Sequence, residues 1–238
     1  PGFCSIQATS YDELFAWIEQ NPGRFTYPAP PDFTGSVFVR EVLYAVNGGP
    51  EEVPLAYSDE AFEQFTPALI EQLQAIEPFL WREGTTYPQN SNELNELFAN
   101  GEVDFTMTYG PATLTQLVAD GTYPAGTKVL TLEEGTVGNA SFLGLASTSG
   151  SKAGAMVVAN LALSVEQQVA KAQPDVWGQF TVLDLDQLSD EQRALFDALP
   201  ASPVVPTYDV LSENANPELA SAWVTPIDEL WRQLVLAQ

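Results

Sequence analysis

The sequence contains no histidine, and this absence excludes several kinds of functional site. Histidine is the commonest general base and the commonest transition-metal ligand in proteins. A Ser-His-Asp triad and a zinc site with histidine ligands are therefore excluded, and we predict neither a metal site nor a cofactor. The single cysteine, Cys4, excludes an intrachain disulfide, and we expect it to be an ordinary residue of a loose terminal segment.

Basic residues are also scarce. The 238 residues include 8 lysines and arginines against 32 aspartates and glutamates, which gives a formal net charge of −24. So acidic a surface repels phosphate backbones and anionic lipid, so we expect no nucleic-acid partner. No apolar run reaches about 18 residues, the least that could span a membrane. The apolar share of 45% is nevertheless sufficient for a packed core.

Segments of helical and strand pattern alternate along the chain. Helical spacing of apolar residues follows the capping residues Ser10, Ser58 and Ser91. Alternating or apolar stretches typical of strands occur at 24–28, 103–108, 128–132 and 141–146, and the last of these has the composition of a buried strand. This alternation predicts an α/β fold, rich in helix around a small mixed sheet.

Polar turns precede three of the predicted helices. The first backbone amides of a helix are unpaired and carry partial positive charge, and ligands of open α/β sheets bind beyond the carboxyl ends of strands. We therefore predict that these turns line one wall of a ligand cleft, through Thr34, Gly35, Ser36, Tyr87, Gln89, Thr108 and Tyr109. An ordinary helix cap is the alternative interpretation of Thr34-Gly35-Ser36.

The glycine-rich stretch 135–141 is a fourth candidate. Two glycines before an apolar stretch suit a chain that crosses between lobes, and we add Asn139 to the predicted ligand-binding residues. An ordinary loop explains the same pattern equally well. Carboxylates are so numerous that an acid pair of the glycosidase kind stays open as an alternative, although spacing selects no pair. Asp184 and Asp186 suit a solvated edge better than a metal site.

Several motifs, taken together, resemble one branch of the bacterial ABC-transporter solute-binding proteins, a branch related to iron-, thiamine- and polyamine-binding proteins. The segments that carry the resemblance are 21–28 (NPGRFTYP), 31–36 (PDFTGS), 79–84 (FLWREG) with 87–89 (YPQ), 135–139 (GTVGN), 152–161 (KAGAMVVANL), 163–168 (LSVEQQ), 174–178 (PDVWG), 182–184 (VLD) and 193–197 (RALFD). The likeness extends from about Tyr11 to Gln238.

The resemblance implies a two-lobed, type II periplasmic-binding-protein fold that holds a small solute between its lobes and delivers it to a membrane permease. Members of the branch are longer at the amino terminus, so we expect this chain to cover mainly the second lobe and the C-terminal helices, with 24–140 in that lobe and 141–238 forming a returning strand and helices. We expect a monomer without catalytic residues, located in the periplasm or outside the cell, free or anchored to the membrane. A non-transport sensing module is a further alternative.

Overall fold

The computed structural model describes residues 8–108, 111–138, 140–213 and 215–236. Cys4, Tyr109 and Asn139 lie outside these ranges. The α-helices are α1 Tyr11–Gln20, α2 Phe33–Val46, α3 Asp59–Ile76, α4 Ser91–Ala99, α5 Pro111–Ala119, α6 Lys152–Ala162, α7 Val165–Ala172, α8 Asp190–Asp197, α9 Tyr208–Glu213 and α10 Val224–Leu234; the strands are β1 Thr136–Val137 and β2 Ala215–Asn216.

The chain divides into two compact units. Unit 1 comprises Pro1–Tyr109, Leu130–Gly138 and Asp209–Gln238, and unit 2 comprises Gly110–Val129 and Asn139–Tyr208. The lobes predicted from the family resemblance, 24–140 and 141–238, stay a prediction. Within the described residues, no helix combines the length and the apolar character needed to cross a bilayer.

Unit 1 is built around three helices that pack on one another, α2, α3 and α10, with α1 against α3. Their apolar faces meet aromatic side chains from the neighbouring loops. The ring of Tyr27 lies 4.7 Å from Phe38 and 5.1 Å from Tyr87, centroid to centroid. The indole N–H of Trp231 in α10 donates to the Tyr27 hydroxyl at 2.9 Å. This bond satisfies two polar groups that burial would otherwise leave unpaired.

The predicted helix starts are mostly confirmed, with two local differences. Ser10 and Ser58 accept hydrogen bonds from the third amide of α1 and α3, as the sequence predicts. In α4, however, the capping side chain belongs to Asn90 and not to Ser91. The predicted helix from 58 to about Trp81 ends earlier, at Ile76, and continues as short 3₁₀ turns because Pro78 has no amide to continue the α-helical bonding.

The sheet is smaller than predicted. β1 and β2 form a two-residue parallel pair in which Thr136 faces Ala215 and Val137 faces Asn216. The helix-rich character with a small sheet is confirmed, but the described strands are parallel and not mixed. The predicted strands at 24–28 and 103–108 form no strand in the described structure, and an isolated backbone bond, from Asp104 N to Arg24 O at 2.8 Å, links the two segments. Prolines at 28, 30 and 31 cannot donate to a ladder, which explains why pairing stops there.

Unit 2 contains α5 to α8 and buries little of its apolar surface. Among its described residues, the buried hydrophobic side chains are Leu114 and Tyr123. The stretch 141–146, predicted to be a buried strand, forms no strand and is exposed throughout. A strand needs a neighbour for its backbone groups and a layer above its side chains, and the described part of the chain supplies neither to this stretch.

Candidate functional site

Two of the predicted binding turns lie side by side in unit 1. The amide of Ala29 donates to the carbonyl of Pro88 at 2.8 Å, and the amide of Ser91 donates to Oδ2 of Asp32 at 3.3 Å. Asp32 precedes α2, and Ser91 begins α4. The tertiary structure thus brings the starts of two helices, which are distant in sequence, to one carboxylate.

The Asp32 carboxylate also binds the helix-start amides that we predicted from the sequence to bind a ligand. Its Oδ1 accepts from the amides of Thr34 at 3.0 Å and Gly35 at 3.3 Å, and from the Thr34 hydroxyl at 2.6 Å. The Ser36 amide donates to the Asp32 carbonyl at 2.8 Å. These amides are paired within the chain, so a solute would have to displace the Asp32 carboxylate to reach them.

Gly35 is explained by packing. A Cβ atom at this position would lie 1.8 Å from the carbonyl oxygen of Pro28, a distance at which no side chain fits. The start of α2 therefore lies directly against the proline-rich loop. The space that the sequence interpretation assigned to a ligand at Gly35 is filled by the backbone of Pro28.

A cavity of about 320 Å³ opens in unit 1 beside the second predicted turn. Its walls come from the segment after α3 and from α4 with its flanks. Tyr87 and Gln89, both predicted ligand-binding residues, line it. The full lining is Trp81, Arg82, Thr86, Tyr87, Pro88, Gln89, Glu93, Glu96, Leu97, Asn100 and Glu102. Three carboxylates against one arginine, Arg82, leave the cavity lining with a net negative charge, which disfavours an anionic solute.

One wall of this cavity has an unusual backbone conformation. Arg82 and Glu83 have φ values of 53° and 58°, in the left-handed region that residues with side chains seldom adopt. The turn places the Arg82 guanidinium 4.1 Å from the centroid of the Trp81 ring, a cation–π contact. The amide of Trp81 is fixed by the carbonyl of Phe25 at 2.8 Å. The wall therefore presents an aromatic face that already accommodates a cation.

The remaining predicted residues differ in their surroundings. Tyr87 is 6% exposed, and burial raises the pKa of its hydroxyl, with the charge of Glu77 as a second cause. Its ring lies 5.1 Å from that of Trp231, so Tyr87 links the cavity wall to the core. Thr108 is exposed in unit 1, just after Thr106, whose hydroxyl donates to Asn95 in α4 at 2.6 Å. Tyr109 and Asn139 lie outside the described residues.

The sequence interpretation missed a buried polar network between α2 and the C-terminal part of the chain. The Arg40 guanidinium, almost fully buried, pairs with Glu218 at 2.9 Å and donates to Ser36 Oγ at 2.6 Å. Ser36 Oγ in turn donates to Asp228 Oδ1 at 2.7 Å. Burial raises the pKa of Asp228, and the bond from Ser36 and the charge of Arg40 oppose this rise. The signal available in the sequence was Arg40 itself, a charged residue inside the apolar stretch of α2.

A second carboxylate, that of the half-buried Glu41, binds strand β1. Glu41 Oε1 accepts from the amide of Val137 in β1 at 2.9 Å, and Oε2 accepts from the Tyr11 hydroxyl at 3.0 Å. Burial raises the pKa of Glu41 to about 7, while these two hydrogen bonds and the charge of Arg40 lower it. The amide of Tyr11 donates to Glu134 at 3.0 Å, so α1, α2 and the segment before β1 share one cluster of carboxylates.

Comparison with known proteins identifies the family. The profile described as "Bacterial extracellular solute-binding protein" matches residues 7–192 of this chain. Protein YnjB of Escherichia coli (strain K12) is 34% identical over 218 residues, which are 92% of this chain. The chain belongs to the bacterial extracellular solute-binding protein family. The resemblance predicted from the sequence motifs is thereby confirmed.

The chain is shorter than the curated family member that it matches. The match covers 54% of YnjB, so this chain spans about half the length of the curated relative. No solved structure matches it, and the type II arrangement of lobes stays a prediction. Within the described residues, no cluster of three or more side chains of the kinds that ligate metals is found.

Proposed function

We propose that this chain is the ligand-binding component of an ABC importer, which captures a small solute in the periplasm or outside the cell and delivers it to a membrane permease. The observation that supports this most strongly is membership of the solute-binding family over residues 7–192. We also propose that it is not an enzyme and that it acts as a monomer. The chain covers about half the length of its relative, so the transport role, the lack of catalysis and the monomeric state are proposals about the whole protein.

The cavity beside Tyr87 and Gln89 is the proposed contribution of unit 1 to solute binding. Its volume of about 320 Å³ lies at the lower end of the range for small-molecule sites. Trp81 would contact an apolar part of the solute, since the Arg82 guanidinium already covers one face of its ring, and Gln89 would supply an amide for hydrogen bonding. Because carboxylates line the cavity, we expect cations or neutral solutes to bind better than anions.

Direct ligand contacts by the other predicted residues stay predictions. Thr34, Gly35 and Ser36 are buried at the start of α2 and bonded to Asp32. They support the loop that borders the cavity through the bond from the Ser91 amide to Asp32. Thr108 is exposed at the end of a half-buried segment of the same unit.

The proposal is tested by thermal unfolding of the natural gene product with a panel of cationic, neutral and anionic solutes. A solute at one hundred times its dissociation constant adds about 2.7 kcal/mol to the free energy of unfolding, and so raises the melting temperature. The Glu96→Gln variant removes a carboxylate of the cavity, and Glu71→Gln removes an exposed carboxylate of α3 as the matched control.

We expect a cation or a neutral solute to raise the melting temperature, and we expect Glu96→Gln to weaken a cation while Glu71→Gln leaves its affinity unchanged. If no solute shifts the melting temperature, the carrier function is contradicted. If a stabilising solute is converted to product, the acid-pair hydrolase alternative is favoured. The sensing-module alternative is tested by a pull-down from membranes. A carrier should retain the permease, whereas a sensing module should bind the solute but retain no permease.

A further inference from the structure

Unit 2 exposes a long apolar stretch of the chain. Every residue from 140 to 158 except Ser149 is exposed, and this run includes the uncharged, proline-free segment 141–146. The side chain of Phe142 is 91% exposed, and that of Leu143 is 65% exposed. Segment 141–146 belongs to no strand pair in the described part of the chain, and an apolar segment of this kind is a template for pairing with another strand, which soluble proteins normally cover or charge. We define the apolar face of unit 2 as segment 141–146 together with α6.

Helix α6 is exposed around most of its circumference, with Ala159 and Ala162 half-buried. None of its residues is buried, although most of them are apolar. Met156, Val157 and Val158 are successive residues, so at 100° per residue their side chains span about 200° of the helix circumference, and each is at least 60% exposed. A helix with apolar residues on every side belongs in the interior of a protein. A flat contact against one side of α6 would not cover it.

We infer that the apolar face of unit 2 is the docking surface for the part of the family-length chain that lies outside these 238 residues. That part supplies at least one strand alongside 141–146 and apolar side chains around α6. The curated relative extends well beyond the matched region, since the match covers only 54% of it. This length is sufficient for a further set of strands and helices. The inference rests on family membership and does not depend on solute binding.

Two other occupants fit the observations less well. A second copy of this chain carries the same charge of −24, which opposes association, and a symmetric contact would cover one side of α6 only. An anionic lipid surface is repelled by the same charge. A lipid surface offers no backbone for segment 141–146 to pair with, and a second copy offers only its own segment 141–146, whose approach the net charge opposes.

The test measures the reactivity of single thiols placed on this face. In a Cys4→Ser background, Val157→Cys and Phe142→Cys report on α6 and on the extended segment. Glu63→Cys, at an exposed position of α3 in unit 1, is the matched control. Labelling by a maleimide is followed in two proteins, the 238-residue chain and the natural gene product that contains it.

We expect the thiols at positions 157 and 142 to react as fast as the control thiol in the 238-residue chain, and at least tenfold more slowly in the natural gene product. The control thiol should react equally in both. Equal rates at position 157 in the two proteins overturn the inference, provided that the unfolding midpoint shows each variant to be folded. Protection of the 238-residue chain that is lost on dilution would assign the face to a second copy instead. Protection that requires anionic vesicles would assign it to lipid, and both of these results also overturn the inference.

Discussion

Helices α2 and α6 show how differently the two units use similar sequences. Both are short and apolar, but ten residues of α2 are buried, from Thr34 to Tyr44, whereas none of α6 is. Helix α2 packs against α3, α10 and the segment at β1, whereas α6 packs mainly against α7 among the elements that the structure describes. Apolar composition thus sets the tendency to be buried, and the presence of partner elements decides whether burial occurs.

Truncation of a core leucine should distinguish the units most strongly. Leu69 of α3 is fully buried, and Leu161 of α6 is 55% exposed. We expect Leu69→Ala to lower the free energy of unfolding by about 2–5 kcal/mol, because a cavity is left, and Leu161→Ala to lower it by less than about 0.5 kcal/mol. Urea unfolding followed by tryptophan fluorescence measures both. Similar losses in the two variants would show that unit 2 has a core like that of unit 1.

A glycine pair gives effects of opposite sign in the two units. Gly35→Ala places a methyl group against the Pro28 carbonyl and should cost about 3 kcal/mol. Gly154 lies inside α6 with open space around it, so Gly154→Ala should stabilise that helix by about 0.5–1 kcal/mol. Circular dichroism during thermal unfolding follows both changes. A neutral Gly35→Ala variant would mean that the loop at Pro28 yields to the added methyl group.

Unit 1 should also show a pH dependence that Glu41 causes. The pKa of Glu41 is raised to about 7 in the folded state, mainly by burial. The unfolded state loses this proton near pH 4.3, the ordinary value for glutamate. The contribution of Glu41 to the free energy of unfolding is therefore complete below about pH 4.3, falls by about 4 kcal/mol at most as pH rises to 7, and then levels off.

The variant Glu41→Gln should flatten this part of the stability profile, as measured by urea unfolding between pH 4 and 8. The variant keeps the groups that face Glu41, so the difference between the two profiles reports on Glu41 alone. These groups are Tyr11, Glu134, Arg40 and Glu218. Glu63→Gln, at an exposed position of α3, is the control and should leave the slope unchanged. A profile that keeps its slope in Glu41→Gln would assign the slope to another group, first of all Asp228, whose pKa burial also raises.

The smallest effect is expected at a helix cap of unit 2. Ser189 and Gln192 form a reciprocal capping box at the start of α8, a helix that buries none of its residues. Since packing contributes little there, Ser189→Ala should remove about 1 kcal/mol of local helix stability. Amide hydrogen exchange in α8 should accelerate, while the unfolding midpoint of unit 1 stays constant. A shift of that midpoint would show that the two units unfold together.

The helix starts could be predicted from the sequence because capping is local. Ser10, Ser58, Ser164 and Ser189 each accept a bond from an amide three residues ahead, and that geometry needs no distant partner. The strands were predicted less well, since a strand exists only when another lies beside it. Segment 141–146 has the composition of a buried strand and no described partner.

The candidate site shows the same division. The sequence indicated Tyr87 and Gln89, and both line the cavity. It could not show that Asp32 would occupy the amides of Thr34 and Gly35, because that depends on the path of the chain around the start of α2. Glu96 and Glu102 of the cavity carried no distinguishing pattern among 32 acidic residues.

The sequence by itself determined the family, most of the helix starts and the exclusion of histidine chemistry. These depend on residue identity and on interactions over three or four residues. Only the tertiary structure decided that Arg40 pairs with Glu218, that Glu41 binds the amide of Val137 and that α6 lies exposed. Such contacts join residues up to some two hundred positions apart, and their free energy depends on burial, which no local pattern specifies.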